Sequence, residues 1–189
     1  SRGLFITGTD KDVGKTYVGT LIVRWLVAKG YRVGVYLPVA IDCVDDGQQA
    51  ISEGALALWQ AAGEPLTLGE VCPQCFRASL APHLSAKAEG RTINADLLRK
   101  GLEVWSEHCD LVIVEGVGGL MSPVSDREYI ADLAYDFGFP LVVVAPNMLG
   151  AINQTLQTLV TAAHYRGGLP VAGIVLTDIH HSLDDRSVE

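Results

Sequence analysis

The run Gly8-Thr9-Asp10-Lys11-Asp12-Val13-Gly14-Lys15-Thr16 combines the residue types that hold a polyphosphate. Its glycines permit turn angles, and a helix starting at Lys15 would aim free backbone amides at the loop. Lys15 would neutralise phosphate charge, and the Thr16 hydroxyl would hold Mg2+. Five residues separate Gly8 from the Gly14-Lys15 pair, one more than in the common phosphate loop. A glycine-containing turn without a ligand is the plainer reading. Gly-Lys-Thr at a helix start after an apolar strand is, however, a specific combination. The second chemical signal is Glu115, a carboxylate closing the apolar run Leu111 to Val114 and followed by Gly116, Gly118 and Gly119. It is placed like a metal ligand across from Thr16. The glycines either let backbone approach a phosphate or form an ordinary turn. Within the loop, Lys11 could reach a transferring phosphoryl group or, with Asp12, be a solvated charge.

These groups need strands that end together and helices that begin there. Leu4 to Thr7, Tyr31 to Val39, Leu111 to Glu115, Pro140 to Ala145 and Val171 to Leu176 read as strands, largely apolar. Helices are predicted for about Lys15 to Ala28, Gln48 to Ala62, Asn94 or Ala95 to Cys109, Ser125 to Phe137 and Gly150 to Gly167. Pro65 to Ala81 reads as loop with one short element at most. Apolar strands alternating with helices predict a single-domain α/β fold over residues 1–189: a doubly wound, mainly parallel sheet with helices on both faces, of the P-loop NTPase type. Ligands of such sheets bind beyond the strand C-termini, where Gly8, Leu37, Glu115, Asn147 and Thr177 would gather.

The 189 residues carry a net charge of -8, with 14 basic and 22 acidic side chains and no basic cluster, which argues against nucleic acid or an anionic membrane as partner. No apolar run approaches the ~18 residues of a membrane span, and no secretory pattern precedes the first strand, so a cytoplasmic location is expected. Cys43, Cys72, Cys75 and Cys109 are too sparse for a disulfide framework. Cys72-Pro73-Gln74-Cys75 could be a redox pair or half a zinc site, but no second pair at metal spacing accompanies it, and ordinary loop and core thiols are the preferred reading. His83, after Pro82, is read as a structural loop residue rather than a base, and His180-His181 as exposed tail.

With these residues in hand, the chain resembles the dethiobiotin synthase family of ATP-dependent ligases. The resemblance rests on the longer loop and on Tyr36 to Ala40, Ala55 to Leu58, Ala81-Pro82-His83 and Glu89-Gly90-Arg91. It extends to Val114-Glu115-Gly116-x-Gly118-Gly119 and Leu149-Gly150-x-Ile152-Asn153, and so spans nearly the whole chain. It implies carboxylation of 7,8-diaminononanoate by CO2, phosphorylation of the carbamate by ATP, and closure of a cyclic urea by the neighbouring amine. It further implies that Lys15 serves catalysis, with Lys11 the nearby residue that could compensate for a missing cation, and that ATP is bound by Asp12, Val13, Gly14, Lys15, Thr16 and Tyr17, by Glu115, Gly116, Val117 and Gly118, and by Thr177 and Asp178 near the base. Mg2+ would be held by Thr16 and Glu115. Leu149, Gly150 and Asn153 would meet the substrate's carboxylate tail across a homodimer interface.

The departures from the family pattern are specific. Its Lys-Pro-Val-Ala-Ser-Gly is Leu37-Pro38-Val39-Ala40-Ile41-Asp42 here, so neither the lysine that contacts the carbamate nor the serine that contacts substrate is present. Gly54 falls where the family has a metal-binding aspartate; Glu53, Asp42, Asp45 or Asp46 could supply a substitute. Thr177-Asp178 replaces an Asn-Asp pair, and the chain ends short of the family's C-terminal strand and helix. Loss of one preorganised cation from a phosphoryl-transfer site typically costs ~10² to 10³ in rate, so a weakened ligase is expected, the alternative being a nucleotide-binding homologue without ligase activity. A partition-type ATPase switch is ranked below both, because Asp10 stands where those proteins carry an extra lysine.

Overall fold

The computed structural model describes residues 2–45, 47 and 49–178; Asp46 and the His180-His181 pair lie outside the described residues. The elements run β1 (Gly3–Gly8), α1 (Lys15–Ala28), β2 (Val33–Tyr36), a hairpin of β3 (Val44–Asp45) and β4 (Ala50–Ile51), α2 (Glu53–Ala61), α3 (Leu68–Val71), α4 (Pro82–Ala88) and α5 (Ala95–Lys100). A 3-10 turn at Glu103–Ser106 leads to β5 (Leu111–Gly119), α6 (Ile130–Phe137), β6 (Leu141–Pro146), α7 (Ala151–His164), a second 3-10 turn at Tyr165–Gly167, and β7 (Val171–Thr177).

Five strands form one sheet in the order β2-β5-β1-β6-β7, every neighbouring pair parallel. Phe5 in the central strand lies level with Val114 on one side and Leu141 on the other. β6 is buried at every position, as a strand covered on both faces must be. From β1 the chain crosses by α1 toward the β2 edge, whereas α6 and α7 lead toward the β7 edge. Right-handed crossovers therefore put α1 on one face and α6 and α7 on the other. The reversal of winding at β1 leaves a crevice at its C-terminal end, where the phosphate loop emerges.

Four predicted helices are shorter than their periodicity suggested; the one expected to reach Gly167 ends at His164, where a 3-10 turn takes over. Ala50–Ile51 pairs with Val44–Asp45, and Ser52 then caps α2 by accepting the Ala55 amide at 3.2 Å, so the helix expected from Gln48 begins at Glu53. The helix expected from Ser125 begins at Ile130, because the Val124 amide bonds to Glu128 O at 2.8 Å in a turn and the Asp132 carboxylate takes the Tyr129 amide at 2.8 Å. α5 stops at Lys100, where the Tyr36 hydroxyl, 3.0 Å from the carbonyls of Leu97 and Leu98, competes for the acceptors of its last turn. β2 is likewise trimmed to Val33–Tyr36. Among the described residues no helix is long and apolar enough to cross a membrane.

Candidate active site

The loop after β1 closes back over the strand that launches it. A side chain at Gly8 would come within 2.6 Å of Val13 Cγ2 and 2.7 Å of Asp10 O, so this position admits only glycine. Gly14, at φ +95°, caps α1 in the left-handed region that glycine enters without steric cost. The loop is fastened from below: the Thr177 hydroxyl donates to Val13 O at 2.7 Å, and the Thr9 amide to Val144 O at 2.9 Å. Thr177, proposed from sequence to lie near a base, thus has its hydroxyl turned inward against the loop, and Asp178 beyond it is exposed.

Lys15 is only 8% exposed, and its Nζ donates to the Asp10 carbonyl at 2.9 Å. Desolvation holds its pKa below the ordinary lysine value despite the pull of Glu115, so its charge is costly to keep until an anion arrives. The Thr16 hydroxyl donates to Glu115 Oε1 at 2.7 Å. Glu115 Oε2 is buried without a hydrogen-bond partner, and burial raises the carboxyl's pKa to about 7. An orphaned carboxylate oxygen is expensive, and a divalent cation beside the Thr16 oxygen would satisfy it. The donor set therefore fits Mg2+.

Facing these groups is a cavity of about 440 Å³. Lys11, Asp12, Gly14, Lys15, Thr16, Tyr17, Glu53 and Glu115 to Gly118 all line it, so most of the residues singled out from sequence are brought together. Val13 is packed behind the loop, and the side chains of Leu149 and Asn153 on or before α7 are exposed, away from this lining. The opposite wall is apolar: Leu37, Val39 and Ile41. Leu37 occupies the place at the end of β2 where a lysine would point into the cavity, and only 5% of its surface is exposed.

Lys11 is engaged. Its Nζ lies 2.5 Å from Asp42 Oδ2, 3.0 Å from Ser79 Oγ and 3.8 Å from Asp12 Oδ2, and the bond to Asp42 raises its pKa. Asp42 holds a left-handed conformation, φ +56°, which a short polar side chain tolerates. Asp42, considered from sequence as a substitute metal carboxylate, is instead the partner of Lys11, and its pKa is lowered by that bond. Neither this tie nor Ser79 was marked by any local sequence signal. Gly116 serves packing: a side chain there would press to 2.8 Å from Ile130 Cγ2. His83 lies on α4 rather than in a loop.

Gly54 sits in the first turn of α2 with its vacant Cβ position 3.1 Å from Thr16 Oγ1. A carboxylate there would approach any cation held between Thr16 and Glu115. Gly54→Asp is therefore expected to raise Mg2+ affinity, measured as the Mg2+ midpoint for nucleotide binding by calorimetry, by roughly tenfold or more, about 1.4 kcal/mol. An unmoved midpoint would separate Gly54 from the metal position.

A family model described as an AAA domain matches residues 2–189. The ATP-dependent dethiobiotin synthetase BioD of Rhodopirellula baltica is 41% identical, the match covering 96% of this chain and 74% of that one. Its namesake in Anaeromyxobacter dehalogenans strain 2CP-C is also 41% identical, over 93% of this chain and 76% of its own. The chain belongs to the dethiobiotin synthetase family. The BioD 1 enzyme of Escherichia coli K12, at 34% identity over 95% of this chain and 79% of its own, extends the same relation. Among solved structures, the kinase domain of E. coli tyrosine kinase ETK matches with a TM-score of 0.54 and 18% identity, covering 93% of this chain and 67% of that one. A ParA family ATPase from Chlorobium tepidum matches with a TM-score of 0.50 and 10% identity over 93% and 72%. These two share the fold; the synthetase relatives share sequence over 93–96% of the chain. This member of the dethiobiotin synthetase family presents Leu37, Ile41 and Gly54 to the same cavity as Lys15, Thr16 and Glu115.

Proposed function

We propose that the protein is an ATP-dependent carbon–nitrogen cyclo-ligase that makes dethiobiotin from 7,8-diaminononanoate and CO2. The observation that carries this reading is the Thr16–Glu115 pair with its orphaned oxygen, set beside the buried Lys15 at the mouth of the phosphate loop in a chain 41% identical to named dethiobiotin synthetases. Backbone amides of residues 12–17 bind the phosphates of ATP, and Lys15 moves from Asp10 O to a phosphate oxygen. Thr16 and Glu115, with Glu53 on the same wall, hold Mg2+, which when bound draws charge from the phosphates. Thr177 steadies the loop, and Asp178 next to it stands at the base end.

A second cavity of about 240 Å³ continues from the first past Lys11, Ile41 and Gly118 to Leu80, Pro82 and Ser122. Its apolar walls suit the alkyl chain of the diamine, while Lys11 at the junction places a cation where carbamate and phosphoryl oxygens meet. No covalent nucleophile is required; the chain's contribution is position and positive charge.

The α7 surface completes the reading. Ile152, Leu156 and Val160 recur at helical spacing and are each more than half exposed, and Leu149 just before the helix is 76% exposed. An apolar stripe of this kind suits a homodimer that carries Leu149, Gly150 and Asn153 to the partner's substrate. Light scattering is expected to give a mass near twice 20.2 kDa; a monomer at micromolar concentration would remove these residues from the site.

Incubation with ATP, Mg2+, labelled bicarbonate and diaminononanoate tests the activity itself. Label appearing in dethiobiotin only when all four are present supports it. Nucleotide binding with no ring closure would mark a homologue that has lost ligation, the outcome to which Leu37 points.

A further inference from the structure

α3 ends at Val71 with Cys72 as its cap, and the turn Cys72-Pro73-Gln74-Cys75 brings the two sulfurs to 3.5 Å of each other. The turn is held in place. Gln74 is buried and bonds twice to Asn94, donating to its carbonyl at 3.1 Å and accepting its amide at 2.8 Å. Closing the remaining gap to a disulfide takes a sulfur movement of about 1.5 Å, within reach of side-chain rotation. The two thiols differ in access: Cys72 is buried and Cys75 is half-buried.

We propose that Cys72 and Cys75 form a redox-active dithiol behind the cavity wall, exchanging reversibly with small disulfides such as glutathione disulfide. The more accessible Cys75 attacks as thiolate and displaces one glutathione. Cys72 then attacks the Cys75 sulfur and displaces the second. The small disulfide is reduced to two thiols, the protein pair is oxidised to one disulfide, and the two protein thiol protons pass to the released thiolates. Hydrogen bonds from the Cys43 and Cys72 thiols favour the Cys75 thiolate and lower its pKa, and the positive charge of Arg91 acts in the same direction. Among the described residues no group of three or more His, Cys, Asp or Glu side chains is disposed to hold a metal.

The pair bears on the site because its turn is bonded to the cavity wall. The Leu37 amide donates to Val71 O at 2.8 Å, the Ala40 amide to Gln74 O at 2.8 Å, and the Phe76 amide to Ala40 O at 3.0 Å. Leu37, Ala40 and Ile41 line the cavity, so drawing Cys72 and Cys75 together pulls on the strip that faces the nucleotide.

The test exposes the protein to glutathione buffers of increasing disulfide content, alkylates the remaining thiols, and maps the peptides. The peptide spanning Cys72 and Cys75 is expected to become two hydrogens lighter and to recover with dithiothreitol. In Cys72→Ser a mixed glutathione disulfide should persist at Cys75. Both thiols remaining alkylatable throughout, or a disulfide joining Cys75 to Cys43, would overturn the proposal. The wild-type map alone decides the pair should the variant fail to fold. The coupling rests on the nucleotide reading above and is measured separately: Mg·ATP affinity of the oxidised and reduced forms should differ by at least about fivefold, and equal affinities would overturn the coupling.

Discussion

Lys15→Ala is expected to weaken ATP binding by at least about 10²-fold, the loss of one charge-assisted phosphate contact worth roughly 3 kcal/mol. The fold should survive, for a physical reason visible at the site. Lys15 is buried with one carbonyl at 2.9 Å, and its charge is already disfavoured by desolvation. Removing it relieves that penalty and leaves only a modest void in a loop fastened independently by Thr177 and Val144. Calorimetric titration with Mg·ATP, paired with a thermal melt, separates the two effects. Unchanged affinity would refute the phosphate cradle; a collapsed melt would make Lys15 a structural residue instead.

Leu37→Lys is expected to raise ligase turnover by ~10²-fold, since it restores a preorganised cation beside the transferring phosphoryl group. The position suits it. Leu37 lines the cavity directly after β2, so a lysine stem can follow the leucine path and carry its ammonium into the space. The substitution also removes an apolar side chain from the core and should cost about 1–3 kcal/mol, lowering the melting temperature by several degrees. Activity and stability therefore move in opposite directions, which distinguishes this outcome from general repair of the fold. Equal turnover in wild type and variant would mean that Lys11, despite its ion pair with Asp42, already supplies the charge, or that ligation does not occur here.

The parts of this site that were legible in the sequence are those set by local geometry or by the ends of strands. Gly8 to Thr16 is a continuous segment whose backbone needs are written in its own glycines. Glu115 meets Thr16 across a long separation because parallel strands run toward one edge; the apolar run Leu111 to Val114 marked the strand, but β5 continues past the carboxylate to Gly119, with a shift of register against β1 after Ile6. What stayed hidden depends on which loops meet. The tie of Lys11 to Asp42 and Ser79 joins three separate segments, so nothing near any one of them signals it. Thr177 closes the apolar strand β7 and could face either way; its inward turn is decided by the Val13 carbonyl of the loop. The closeness of Cys43 to the Cys72–Cys75 turn follows from hydrogen bonds between residues 37–43 and 71–76, a pairing without sequence periodicity. The helix expected from Gln48 gave way to the β3–β4 hairpin for a similar reason, since Ala50 and Ile51 pair with Val44 and Asp45 and Ser52 claims the helix start.

The most direct measurement of the central claim is a crystal structure with Mg2+ and a non-hydrolysable ATP analogue. The phosphates are expected over residues 12–17, with Lys15 Nζ transferred from Asp10 O to a phosphate oxygen and the metal bound by Thr16 and Glu115. Nucleotide bound elsewhere, or Lys15 still on Asp10 with Glu115 Oε2 unpartnered, would contradict the account.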